Sequence, residues 1–167
     1  MRIEMKVSSL SFDPFTETPI VILRDGTGRH SVPLWIAHPE AASIAAELEG
    51  VRLDRPMTHD LLKAVLGVLG GKVAYVEIHD LRGGTFFATI HIVRPDGRDG
   101  AAAAGIDARP SDAIALALRT GAPIYVTKKV LDKVRRQADR HKLPTVVYEA
   151  PETPGGFVID PAFKWKV

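Results

Sequence analysis

The sequence predicts a single α+β domain: a mixed, mostly antiparallel sheet of about six to seven strands with four helices. Three observations carry this. Residues 3–9 alternate apolar with polar, as a half-buried strand does. Residues 74–92 hold two further alternating runs separated by a glycine-bearing turn. Residues 113–118 (Ala-Ile-Ala-Leu-Ala-Leu) are apolar on every side of a helix, so that helix must be buried among other elements.

The elements follow in order. Ile3, Met5 and Val7 point one way in the first strand, and Glu4, Lys6 and Ser8 the other. Ile20-Val21-Ile22-Leu23 is a second strand, apolar on both faces. Asp25-Gly26-Thr27-Gly28 turns the chain into Val32-Pro33-Leu34-Trp35-Ile36, where Pro33 lacks an amide hydrogen and therefore suits an edge strand. His38-Pro39-Glu40 opens a helix that runs through Ile44 and Leu48 to Gly50. Thr58 suits the N-cap of a second helix, whose apolar face carries Leu61, Leu62, Val65, Leu66 and Leu69 before Gly70-Gly71.

In the hairpin, the apolar sets Ala74, Val76, Ile78 and Phe86, Ala88, Ile90, Ile92 face each other if Ile78 pairs with Phe86. That register leaves Leu81-Arg82-Gly83 as a three-residue loop and puts Tyr75, Glu77, His79, Phe87, Thr89 and His91 on the other face. After the loop at residues 95–100, a short strand at 103–108 enters the apolar helix 110–120, which Gly121 ends. A strand at 123–126 and a basic helix at 128–140 follow. Val130, Leu131, Val134 and Ala138 anchor that helix. Residues 1–140 thus form the domain, and 141–167 form a proline- and glycine-rich arm with one short strand at 145–148.

Composition bounds the function. The 167 residues are 46% hydrophobic and 25% charged, which is globular usage. No apolar run reaches the roughly 20 residues of a membrane span, and the N-terminus has no apolar leader core, so a cytoplasmic protein is expected. Cysteine is absent, which removes disulfides, thiolate zinc sites and a cysteine nucleophile. The net charge of +2 is uneven. Between Lys128 and Lys142 seven basic side chains face only Asp132 and Asp139, so the remainder of the chain is acidic. Phosphate-binding glycine loops, H-E-x-x-H and G-x-S-x-G are all missing. His79, His91 and Glu77 could share a sheet face, but ordinary surface roles explain them as well.

The densest chemistry lies at Ile106-Asp107-Ala108-Arg109-Pro110-Ser111-Asp112-Ala113, where a strand end meets a helix start. Unpaired amides and a positive dipole end gather at such a junction. Arg109 offers a planar fork for phosphate. Asp107 and Asp112 could converge on a hard divalent cation, magnesium or manganese, of the kind that activates water for phosphodiester hydrolysis. A structural reading competes. Asp112 stabilises its own helix start, Ser111 helps satisfy the amides, and Arg109 pairs with Asp107. The same X-Pro entry with acidic groups occurs at Trp35–Ala42.

Four strings carry a resemblance: Pro33-Leu34-Trp35-Ile36 with Glu40-Ala41; Arg55-Pro56-Met57-Thr58-His59-Asp60-Leu61-Leu62; Phe86-Phe87-Ala88; and Ile106 through Ala117. Together they resemble the bifunctional nuclease domain family over roughly residues 1–135, and D-A-R-P-S-D-A is the most specific of them. The resemblance implies an α+β fold, homo-oligomerisation with a dimer favoured, and activity on DNA and RNA. In that reading Asp107 and Asp112 hold the cation, Arg109 clamps phosphate, and His59 or Asp60 handles protons. The matching strings also contain Glu40, Arg55, Thr58 and Ser111. The basic helix, with Lys133, Arg136 and Arg140, attracts the nucleic-acid backbone. Two alternatives stay open: a non-catalytic nucleic-acid-binding or regulatory module, and an oligomer whose interface is the Tyr75/Glu77/Phe87/Thr89 face.

Overall fold

The computed structural model describes residues 1–94, 104–141 and 158–159, with side chains described for 1–94 and 104–137. The elements are β1 (Arg2–Phe12), β2 (Pro19–Asp25), β3 (Ser31–Trp35), α1 (His38–Leu48), α2 (Thr58–Val68), β4 (Lys72–Arg82), β5 (Thr85–Val93), β6 (Ala104–Ala108), α3 (Pro110–Thr120), β7 (Ile124–Thr127), α4 (Lys128–His141) and β8 (Val158–Ile159). The expected α+β class, helix count and mostly antiparallel open sheet are all present. The expected strand at 145–148 lies outside the described residues.

The strands follow the order β3-β2-β1-β7-β4-β5-β6, with β8 added parallel to β1. Two antiparallel meanders are joined through β7, which runs antiparallel to β1 and parallel to β4. Proline-bearing β3 is an edge strand, as expected, with Pro33 opposite Ile22. The stretch β6–α3–β7 crosses over β4 and β5, so α3 lies against both strands. Ala113, Ile114, Ala115, Leu116 and Ala117 are all fully buried. Their alternation of small and branched side chains lets α3 pack against the sheet and against α1 and α2 at once. Gly121 ends the helix with a left-handed φ of 67°. Among the described residues no helix is long and apolar enough to cross a membrane.

Two expectations need correction. The hairpin pairs Ile78 with Ala88, not with Phe86. An irregularity between Ile78 and Asp80 absorbs one residue, after which Leu81 faces Phe86, and the turn shrinks to Gly83-Gly84. Those glycines have φ of 54° and 84°, which suits a tight turn that side chains resist. The extra residue lets Asp80 and Leu81 both be buried. Next, α2 is capped by Met57, with Thr58 already in its first turn. The apolar face of α2 lies largely at the surface, with Leu66 alone of it packed against the core. Leu61, Leu62, Val65, Val68 and Leu69 are exposed, and His59 is the one fully buried residue of the helix.

Ile114 is entirely buried at the centre of α3. Ile114→Ala should lower stability by about 3 kcal/mol, through lost transfer energy and an unfilled cavity, measurable by urea unfolding.

Candidate functional site

Three helices begin at one place. The first turn of α1 supplies Glu40, that of α2 supplies His59 and Asp60, and that of α3 supplies Asp112, with Arg109 at its N-cap. Each helix start carries a positive dipole end, and each first turn contains a carboxylate that offsets it. Arg109 links two of these acids. Its Nε donates to Asp112 Oδ2 at 2.7 Å, and its Nη2 donates to Asp112 Oδ1 at 3.1 Å and to Glu40 Oε1. Its hydrogen bonds to Asp112 and then to Glu40 hold the guanidinium above even its usual pKa. The repeated X-Pro-acid entry therefore has a use, since one acid from each helix start grips the same arginine. The other Glu40 oxygen, Oε2, is buried with no hydrogen-bond partner among the described residues.

Behind Asp112 stands His59, buried, with both ring nitrogens engaged. Nε2 lies 3.1 Å from Asp112 Oδ1, and Nδ1 lies 2.8 Å from Ser43 Oγ. A carboxylate only accepts, so Nε2 donates, and in the neutral ring Nδ1 accepts the Ser43 hydroxyl. The residue order Ser43–His59–Asp112 is that of a serine hydrolase triad, but with the roles of the two ring nitrogens exchanged. Ser43 is only 1% exposed, however, and cannot reach a substrate. His59 thus has no nitrogen free to exchange protons with a substrate, and it positions Asp112.

Asp60 is committed as well. Oδ2 accepts the Met57 amide at 2.9 Å, and Oδ1 accepts Arg119 Nε at 2.7 Å. Burial acts to raise its pKa, but the Arg119 and Met57 hydrogen bonds outweigh that and hold it below the usual carboxylate range. Arg119, with its side chain 3% exposed, also donates to the carbonyls of Ala115 and Ser43, both at 3.1 Å. Ser43 and Arg119 were not singled out in the sequence. The available signal was a lone arginine in an otherwise apolar helix, since a buried cation needs partners.

Asp107 is not brought to this cluster. It pairs with Thr89 across the β5–β6 ladder, while its neighbours Ala108 and Ile106 pair with Ala88 and Ile90. Ala88 and Ile90 are buried on the face that α3 covers, so Asp107 projects from the opposite face. The expected cation between Asp107 and Asp112 does not fit this arrangement, nor does an Asp107–Arg109 ion pair. Among the described residues no group of three or more histidines or carboxylates could hold a metal. That covers His79, His91 and Glu77 also, where His91 instead stacks on Tyr75 with ring centroids 4.1 Å apart.

The basic helix is partly neutralised from within. Lys133 Nζ lies 2.8 Å from both Asp80 Oδ1 and the Leu81 carbonyl, and Lys129 and Arg82 bind the same aspartate. Lys133, Lys129 and Arg82, in that order, hold the Asp80 carboxyl far below its usual range. Lys133 is therefore a structural cation and not one facing solvent for a partner. Arg136 is exposed, and the side chain of Arg140 lies outside the described residues.

Arg119→Met should lower stability by about 2–4 kcal/mol, because two buried carbonyls lose their donor. Arg119→Lys should recover little of it, since a single ammonium cannot reproduce the planar fork. A shift in denaturant midpoint checks both.

The sequence profile described as "Bifunctional nuclease domain" matches residues 21–139. An uncharacterized protein of Mycobacterium tuberculosis is 39% identical over 128 residues, covering 77% of this chain and 73% of that protein. "Bifunctional nuclease 2" of Arabidopsis thaliana is 27% identical over 109 residues, and "Bifunctional nuclease 1" of Oryza sativa subsp. indica is 21% identical over 123. The matches span 32% and 37% of those plant proteins, about a third of their length. With the profile covering most of the chain and the site assembled from its matched segments, this chain belongs to the bifunctional nuclease domain family.

Proposed function

We propose that this protein is a nuclease hydrolysing phosphodiester bonds of DNA and RNA where the first turns of α1, α2 and α3 meet. One observation carries the reading: the Arg109 side chain is 63% exposed yet fixed by two carboxylates at a helix N-terminus. Its Nη1 hydrogens have no partner among the described residues, which leaves a preset donor pair for a phosphate oxygen. Asp112 is the acid beside it that solvent reaches, at 29% side-chain exposure. Its Oδ2 accepts one hydrogen bond and keeps a lone pair for the proton of an attacking water. The resulting hydroxide adds to phosphorus, the P–O ester bond breaks, and the leaving oxygen takes a proton from solvent. His59 and Ser43 hold Asp112 in place, and Glu40 holds Arg109. No step passes through a cation between Asp107 and Asp112. The plant relatives' names support the same activity.

The second reading, nucleic-acid binding without cleavage, is favoured by how fully internal partners occupy His59 and Asp60. Labelled single-stranded DNA and RNA, incubated with the purified protein and magnesium or manganese, separate the two. Both strands should be cut, and Arg109→Ala and Asp112→Asn should each slow cleavage about 100-fold or more while remaining folded by circular dichroism. Full-rate cleavage by either folded variant refutes these roles, and binding with no cleavage leaves the second reading.

We infer further that copies of the chain meet through α2. Leu61, Val65 and Val68 recur at helical spacing on its exposed face, with Val68 88% exposed. The Tyr75 face, the interface of one alternative the sequence left open, is partly covered by Arg2, whose guanidinium lies 4.2 Å from the Tyr75 ring and 4.4 Å from Tyr125. Light scattering on Leu61→Glu/Val68→Glu should report a monomer where the unmodified chain is a dimer. An unchanged mass would assign the contact elsewhere.

A further inference from the structure

The linker between α1 and α2 borders a second polar feature, separate from the Arg109 centre. A cleft of about 280 Å³ opens between the end of α1, residues 51–57 and the first two turns of α2. Arg52, Arg55, Lys63 and Arg119 line it, against the carboxylates of Glu47 and Asp60. These cations differ in availability. Arg119 is buried at the cleft floor and satisfied by Asp60, and Lys63 donates to the Arg119 carbonyl at 2.6 Å. Arg52 and Arg55 are exposed at the rim and make no hydrogen bond or ion pair among the described residues. Two uncommitted guanidinium groups above a floor whose own charges are paired leave the cleft with unbalanced positive charge, which favours an anion. Arginine also presents two parallel donors that match phosphate geometry.

We propose that this cleft is a phosphate subsite that binds the backbone of a nucleic-acid strand, with Arg52 and Arg55 as the contacting side chains. The proposal rests on the nuclease reading for its choice of ligand. Its position relative to the Arg109 centre gives it a use. His59 and Asp60, adjacent in the first turn of α2, face the two sites separately: His59 bonds Asp112, while Asp60 lines the cleft and bonds Arg119. Arg119 in turn bonds the Ser43 carbonyl, and Ser43 bonds His59. One rigid polar network therefore fixes the spacing between the two. A strand held in the cleft presents a phosphodiester at a constant distance along its backbone to Arg109.

Fluorescence anisotropy with a labelled single-stranded oligonucleotide carrying phosphorothioate linkages, which resist cutting, tests this on the intact chain. Arg52→Ala/Arg55→Ala should weaken binding about tenfold or more and reduce the slope of log affinity against log salt by about two, one per lost phosphate contact. Its melting temperature should stay unchanged, since neither side chain has an internal partner. Arg52→Lys/Arg55→Lys should recover most of the salt slope and part of the affinity. Calorimetry with inorganic phosphate alone forms a second arm. Phosphate binding that the double alanine variant loses, with no oligonucleotide binding, keeps the anion site but overturns the nucleic-acid ligand. Oligonucleotide binding with unaltered affinity and salt slope in the double alanine variant overturns the subsite. So does an absence of both oligonucleotide and phosphate binding. Cleavage that still depends on Asp112 would then leave the nuclease reading standing without it.

Discussion

The burial of Arg119 is the constraint from which the rest of the site follows. A guanidinium removed from water must find acceptors for its hydrogens or destabilise the fold. Here they come from three helices: Asp60 on α2, the Ser43 carbonyl on α1 and the Ala115 carbonyl on α3 itself. Satisfying one cation thereby sets the mutual positions of the three helix starts. Most of the surface of α2 faces outward and its main packing partner is α3, so its polar ties through Asp60, His59 and Lys63 matter to its position. Without this anchor His59 would not be held against Ser43 and Asp112.

Accessibility, and not connectivity, decides what these groups can do. Ser43, His59 and Asp112 form a chain of hydrogen bonds with the residue order of a hydrolase triad. The serine end is sealed inside the protein and the carboxylate end meets solvent. Such a chain operates in the opposite direction from a serine protease, with the interior hydroxyl and imidazole serving to orient an acid at the surface. Arg109 obeys the same logic, since it is exposed but loses its freedom to Glu40 and Asp112. A preset guanidinium sheds less rotamer entropy on meeting a ligand than a free one would.

Much of this was legible from residue order alone. Alternation in β1 and β5, the proline in β3 and the all-apolar α3 defined elements and sheet, because period and backbone chemistry act locally. The hairpin register was not, because the irregularity after Ile78 depends on burying Asp80 beneath Lys129 and Lys133 from α4, more than 45 residues on. At the site, Arg109 and Asp112 stood out as adjacent charges, and His59 through a matching string. Asp107 was placed with them because of proximity in sequence, yet a strand sends successive side chains to opposite faces. Ser43 and Arg119 were hidden because each looks like an incidental polar residue in an apolar helix until its partners are known.

The place of β7 has a consequence for how the chain reaches this shape. Among the described residues its four positions alone join the β1 meander to the β4 meander, and they follow every other strand of the main path in sequence. During synthesis the two halves of the sheet therefore have no ladder between them until about residue 127 has emerged. Closure then depends on contacts of long sequence separation, a topology that slows folding. Until that strand arrives, the adjoining sides of β1 and β4 are open edges, each able to pair with the wrong neighbour.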